Sequence, residues 1–184
     1  WLGSARLGGN FYYAASEASE IVVIDSRAHE KANRVTFIPV GREGTWRGIT
    51  AAGGKPYCAP PQGGLVMVID PFSPGGETRV TFLTLHDSVG DTAKLSEGKW
   101  LGIVAVGPYL ICSHCDQGGG PIGLGSTDES ARFEEDRGEH ECLGIADFGH
   151  TVGAAPSYGK SAPIFDLRAA LARRFRLPAD LDPA

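Results

Sequence analysis

Trp46-Arg47-Gly48-Ile49-Thr50-Ala51-Ala52-Gly53-Gly54-Lys55-Pro56-Tyr57 is the stretch on which the reading of this chain turns. Its opening Trp-x-Gly returns at Trp1-Leu2-Gly3 and Trp100-Leu101-Gly102, and Cys142-Leu143-Gly144 is a weaker fourth copy. The spacings are 45, 54 and 42 residues. A period of about 40–50 residues marks a chain of stacked units, which decides architecture before any chemical motif is weighed. Shifting residues 1–39 by 45 without a gap gives thirteen identities, among them Gly8-Gly9 on Gly53-Gly54, Tyr12 on Tyr57, Val23-Ile24-Asp25 on Val68-Ile69-Asp70, and Arg34-Val35-Thr36-Phe37 on Arg79-Val80-Thr81-Phe82. The fourth copy matches the second at an offset of 96 through Gly48/Gly144, Gly53/Gly149, Ala59-Pro60/Ala155-Pro156 and Asp70/Asp166. The third keeps Trp100, Gly102, Gly107 and Cys112 and then drifts.

Each unit reads as four short strands. In the second they are expected over Gly48 to Ala52, Lys55 to Pro60, Leu65 to Asp70 and Arg79 to Leu85. Gly53-Gly54 is a two-residue hairpin signal. Pro60-Pro61-Gln62-Gly63-Gly64 reads as a loop, because proline cannot donate to a ladder and glycine accepts positive φ. Four antiparallel strands in 42 to 54 residues are the size of one propeller blade. The expected fold is therefore an all-β, four-bladed β-propeller, one domain over 1–184 with repeats 1–45, 46–99, 100–141 and 142–184. The units start and end in phase, so the first blade is expected to close the ring against the fourth, with a two-chain, eight-bladed ring as the competing outcome.

The order Trp-x-Gly, Gly-Gly-x-x-Tyr, Val-x-Val-Ile-Asp resembles the kelch-like and YVTN-like propeller repeats, over nearly the whole chain. The kelch order of Gly-Gly and Trp is not reproduced, and the Trp-Asp pair of WD40 repeats is absent. The resemblance implies a fold and a habit of binding at one face, and brings no catalytic residue with it.

Composition suits a soluble β-domain. Gly 26 and Pro 12 supply many turns, and 42% hydrophobic residues suffice for a core in 184 residues. No apolar run approaches the roughly 18 residues of a membrane span. A net charge of −5 argues against a broad nucleic-acid footprint. The only Met is Met67 and the chain opens directly on the repeat motif, so a removed leader and a piece of a longer polypeptide both stay open, and no compartment follows. Glu134-Glu135-Asp136-Arg137-Gly138-Glu139-His140-Glu141 is an acidic run, while Arg168, Arg173, Arg174 and Arg176 make the C-terminus basic. Both read as solvated surface, with docking of a charged partner as the alternative.

In a four-stranded blade the connection from strand 2 to 3 and the one to the next blade lie on one side. Here these are 14–20, 59–65, 113–121 and 155–161, with 40–45, 85–99 and 134–141, and most of the length variation falls among them. Variable loops on a repeated scaffold are where binding resides. Asp87, Asp116 and Tyr158 are the candidate ligand or partner residues on that face. His114, Cys115 and His140 form the candidate metal set, with zinc as the ion such ligands accept. Against it, Cys58 and Cys112 share one repeat position and Cys142 replaces a repeated Trp, which is the pattern of core residues. A Cys112–Cys115 redox pair lacks the βαβ context that would support it.

Other motifs carry less. Gly118-Gly119-Gly120 lacks the following helix and Lys of a phosphate loop. His86-Asp87-Ser88 has the letters of a triad, but neighbours on one loop rarely assemble nucleophile, base and orienter. Asp25, Asp70 and Asp166 end strand 3 ahead of a turn and are read as Asx-turn caps, not as a ring of carboxylates. The repeated Trp residues are read as blade-to-blade anchors. Asp166 can cap a short amphipathic helix over Leu167 to Arg174, stopped by Pro178. The function this supports is a non-catalytic protein-interaction or scaffold module, possessing no cofactor and engaging a protein partner or larger complex. The alternative is an enzyme or small-ligand or metal binder with its site at the channel mouth, using Asp87, His114, Asp116 and His140.

Overall fold

Alternating apolar runs separated by Gly-rich turns form strands that pair with their sequence neighbours. The computed structural model describes residues 1–30, 32, 34–42, 44–59, 65–84, 100–107, 109–114, 122–126, 142–147, 151–156 and 164–166. The first repeat contributes β1 (Leu2–Leu7), β2 (Asn10–Ala14), β3 (Glu20–Asp25) and β4 (Val35–Pro39). The second contributes β5 (Ile49–Ala52), β6 (Lys55–Cys58), β7 (Leu65–Asp70) and β8 (Arg79–Thr84). Next come β9 (Trp100–Val106), β10 (Tyr109–His114) and β11 (Ile122–Ser126), then β12 (Cys142–Asp147), β13 (Thr151–Pro156) and β14 (Ile164–Asp166). Among the described residues these make four antiparallel sheets, each an up-and-down meander of one repeat. The turn Gly53-Gly54 has φ of 53° and 79°, the two positive values a tight hairpin of matching twist needs, and it closes on the pair Ala52–Lys55.

The expected strands of the second repeat are found, with β5 and β6 shorter than read. The reason is a bulge. Ala59 donates to the Gly48 carbonyl while its own carbonyl accepts from the Arg47 N–H, so two residues face one and the regular ladder begins only at Ile49. The same irregularity recurs between Leu2 and Ser4, between Trp100 and Gly102 opposite Ser113–His114, and between Cys142 and Gly144. The Trp-x-Gly motif is thus a bulge signature as well as a packing one.

The first strands of successive sheets lie side by side, β1 by β5, β5 by β9 and β9 by β12. A Cβ on Gly3 would sit 2.6 Å from the Arg47 carbonyl oxygen, and one on Gly48 would sit 2.7 Å from that of Leu101 and 2.9 Å from Gly102 Cα. The motif glycines of the first two sheets each touch the motif of the next sheet, and only hydrogen fits between those backbones. The motif Trp works one step further out. Trp46 is 3% exposed and Trp100 2%, each closing an apolar layer between two sheets. Around Trp46 that layer joins Tyr12, Ala14, Ile21, Val23 and Ile38 of the first sheet to Ile49, Cys58, Met67 and Ile69 of the second. Around Trp100 it joins Tyr57, Ala59, Val66 and Val68 to Ile103, Leu110 and Cys112. The backbone N–H of Trp46 donates to the Ala15 carbonyl at 3.0 Å, a hydrogen bond between neighbouring sheets.

Two expectations need correction or lie elsewhere. Closure of the first sheet on the fourth is not made among the described strands: β12 adjoins β9 and β10, and no comparable contact joins it to β1. In consequence Trp1, read as a buried anchor like its equivalents, is 55% exposed. The expected helix over 167–174 lies outside the described residues; no α-helix occurs among them, and none is therefore long and apolar enough to cross a membrane.

Replacing Trp46 by Ala removes an indole buried on all sides and should destabilise the chain by about 3–5 kcal/mol in denaturant unfolding. Gly48→Ala forces a methyl against rigid backbone and should cost about 1–3 kcal/mol. A Gly48→Ala chain as stable as the parent would show that the two inner strands can separate without loss.

Candidate functional site

Chemistry depends on which polar and nucleophilic side chains the sheets leave accessible. Cys58 and Cys112 are not among them. Both are fully buried, on the faces that their sheets turn toward the preceding one. Burial in an apolar layer pushes the Cys58 thiol far up and the Cys112 thiol up to about 12. Both are therefore protonated at neutral pH, and neither is the thiolate that a nucleophile or metal ligand must be. The core reading of these two holds.

Two of the three repeated aspartates, Asp25 and Asp70, are turn caps, as their position suggested; the side chain of Asp166 lies outside the described residues. Asp25 Oδ1 accepts from the Arg27 N–H at 2.8 Å and Asp70 Oδ1 from the Phe72 N–H at 3.1 Å. Asp70 also pairs with Lys55, Nζ to Oδ2 3.1 Å. That hydrogen bond, helped by the Phe72 N–H and by the charges of Lys55 and Arg79, holds its carboxyl below the usual carboxylate range. At the matching position of the first sheet Asn10 faces Asp25, so the ion pair is particular to the second repeat whereas the turn is common to both. Third strands are also two strands removed from the inner row, which separates these carboxylates from any central channel.

Of the candidate metal set, His114 is the last residue of β10, opposite Trp100 across the bulge. Cys115 and His140 lie outside the described residues, as do Asp87, Asp116 and Tyr158. Among the described residues no three His, Cys, Asp or Glu side chains come together. The ends of the strands define two rims. One carries the hairpins at Gly8-Gly9 and Gly53-Gly54 with the β3–β4 and β7–β8 turns, and it is braced locally: Ser26 Oγ donates to the Gly9 carbonyl at 2.7 Å, and Ser73 Oγ to that of Glu77. The other rim carries the β2–β3 connections and the links between repeats, the side to which binding was assigned.

What sequence reasoning missed is an exposed aromatic face on the first sheet. Trp1, Phe37 at 50% exposure and Val35 at 42% lie on it, with the Trp1 and Phe37 rings 6.5 Å apart. The signal was available. The thirteen identities between the first two repeats assign Trp1 and Phe37 the packing roles of Trp46 and Phe82, and those roles require a preceding sheet.

No family model matches the chain, and no curated protein does. Solved structures do. Over 90% of its length it superposes on 60% of a chain in the crystal structure of a nidogen/laminin complex, with 16% identity and a TM-score of 0.64. The computationally designed Ika4 protein is similar over 89% of both chains, at 12% identity and a TM-score of 0.59. Apo AztD from Citrobacter koseri matches 91% of this chain with 44% of its own, at 11% identity and a TM-score of 0.56. The chain thus spans less than two thirds of the nidogen/laminin chain and less than half of the AztD chain. The neighbours include propeller-like folds, and with its successive meander sheets this chain has a β-propeller-like fold.

In a Cys115→Ser/Cys142→Ser background, a disulfide-exchanging thiol reagent at neutral pH should label neither Cys58 nor Cys112 until the chain is unfolded. Rapid native labelling at Cys112 would contradict its burial. The Lys55–Asp70 pair should persist at neutral pH and be lost only as pH falls through the lowered Asp70 value. Carboxyl titration by NMR should find Lys55→Met shifting that value upward.

Proposed function

We propose that the chain is a non-catalytic protein-interaction module, its four repeats serving as four consecutive blades of a kelch-like or YVTN-like propeller, and that it works as a scaffold or accessory subunit of a larger assembly. The observation that carries this reading is the split between frame and connections. The repeated residues, Trp46 and Trp100, Gly3 and Gly48, Cys58 and Cys112, are consumed in holding sheet to sheet. What differs between repeats is the length of the links, as the spacings of 45, 54 and 42 residues record. A frame that repeats while its loops vary is suited to displaying contacts. One structure with a similar arrangement is of a complex between two proteins, nidogen and laminin, which supports the idea that such a frame carries a protein interface.

Charge reversal in the acidic run, Glu134→Lys with Glu135→Lys and Asp136→Lys, should abolish capture of a partner from an extract while leaving the thermal melt unchanged. Capture insensitive to this and to changes in 85–99 and 155–161 would sink the assignment of the binding rim. The competing metal-site reading keeps one foothold, His114 at the strand end that leads into the 113–121 connection. The purified chain should carry no stoichiometric zinc. Zinc retained by the parent and lost in His114→Ala would replace the interaction reading with a metal-binding one.

A further inference from the structure

The link from the first sheet to the second is more than a connection. Val40, buried in the layer between the two sheets, donates its N–H to the Ser19 carbonyl at 2.9 Å, and Trp46 donates its own to the Ala15 carbonyl at 3.0 Å. Both ends of the 40–46 stretch are therefore tied to the β2–β3 connection of the first sheet. The chain turns at Gly41, whose φ of 75° is the left-handed backbone that favours glycine. Gly44 lies against the six-membered ring of Trp46, where a Cβ would sit 2.7 Å from Cη2. Between these two glycines Arg42 reaches away from the first sheet. Its guanidinium lies over the Phe82 ring, 5.0 Å from the centroid.

Phe82 belongs to β8, the strand of the second sheet farthest from β5, and its ring is 5.9 Å from that of Trp46. The same aromatic pair recurs as Trp1 and Phe37 at 6.5 Å, so the pair belongs to the repeat and the guanidinium is what the link adds. Among the described residues one other guanidinium lies over a ring, that of Arg6 over Phe11 at 5.9 Å. Those two residues face each other within one sheet, and the Arg6 Nε–H donates to the Gly8 carbonyl. Arg42 joins two sheets instead. At the inner strands these sheets are fixed by Gly3 against the Arg47 carbonyl, so a tie at β8 acts at the opposite edge, where it has the longest lever against their parting.

We propose that the 40–46 link is a latch between the first two sheets, closed by Arg42 on Phe82. The layer around Trp46, with Cys58 inside it, opens when the guanidinium lifts, while the layer around Trp100 opens independently of it. Arg42 is exposed and lies among the connections of the proposed binding rim, so a surface residue there governs access to a buried layer, whichever partner the rim engages.

Two buried thiols supply the readout, because Cys58 lies in the layer between the first and second sheets and Cys112 in the one between the second and third. In the whole chain carrying Cys115→Ser/Cys142→Ser, labelling by a disulfide-exchanging reagent is followed at each thiol in urea below the unfolding midpoint, where modification reports local opening. Arg42→Ala should accelerate labelling of Cys58 about two- to fivefold, the range an exposed cation–π contact supports, and leave Cys112 unchanged. Arg47→Ala, which removes another exposed cation just before β5, should change neither. In a Phe82→Leu chain, which keeps the apolar packing and loses the ring, Arg42→Ala should have no further effect. Unchanged labelling of Cys58 in Arg42→Ala overturns the latch. Equal acceleration at both thiols overturns it as well, since Arg42 would then act on the stability of the whole array. So does an Arg42→Ala effect that persists in the Phe82→Leu chain or that Arg47→Ala reproduces.

Discussion

Everything in this molecule depends on how closely two neighbouring sheets can approach at their inner strands. Gly3 against Arg47 and Gly48 against Leu101 and Gly102 set that distance, since any side chain there would collide with backbone that has nowhere to move. Once the inner strands meet, the sheets diverge outward, and the widening gap must be filled. The bulge at the same motif shifts the ladder at that point, and the indole two residues before each glycine fills the gap at Trp46 and Trp100. Tyr12 and Tyr57 reach in from the opposite side. Glycine, bulge and tryptophan are therefore one device, which explains why they recur together more faithfully than any polar residue.

That device leaves little for chemistry within the frame. Among the described residues the Cys58 and Cys112 thiols are held protonated by burial, and the Asp25 and Asp70 carboxylates are occupied in turns. Under the proposed reading, binding is carried by what the frame holds apart, the connections between strands. This is the ordinary logic of repeat folds, in which stability is a property of neighbouring units and specificity a property of their loops.

The repeat, the strands and the inter-sheet role of tryptophan were all legible in the residues. The reason is that identity at a fixed offset reports a shared physical environment. Val23-Ile24-Asp25 and Val68-Ile69-Asp70 are the same strand end with the same cap. Equivalence failed at Trp1, where the residue is the same and the environment is not, because periodicity describes a unit and says nothing of whether that unit has a neighbour. Loops were legible only as places. Asp87, Asp116, Cys115, His140 and Tyr158 were chosen by residue type and position along the chain, and no repeat constraint specifies which side chains such connections bring together.

The contrast between β3 and β7 has a consequence for how the molecule opens. In β7 the four residues Val66, Met67, Val68 and Ile69 are all buried, because a sheet lies on either side. In β3 only Ile21 and Val23 are, since one side is bare. A strand clamped from both sides can exchange its amide hydrogens only when two interfaces part, whereas a strand clamped from one side needs a single separation. As the described sheets stand, the amide protons of β7 should therefore exchange more slowly than those of β3, although the two strands end in the same Val-Ile-Asp.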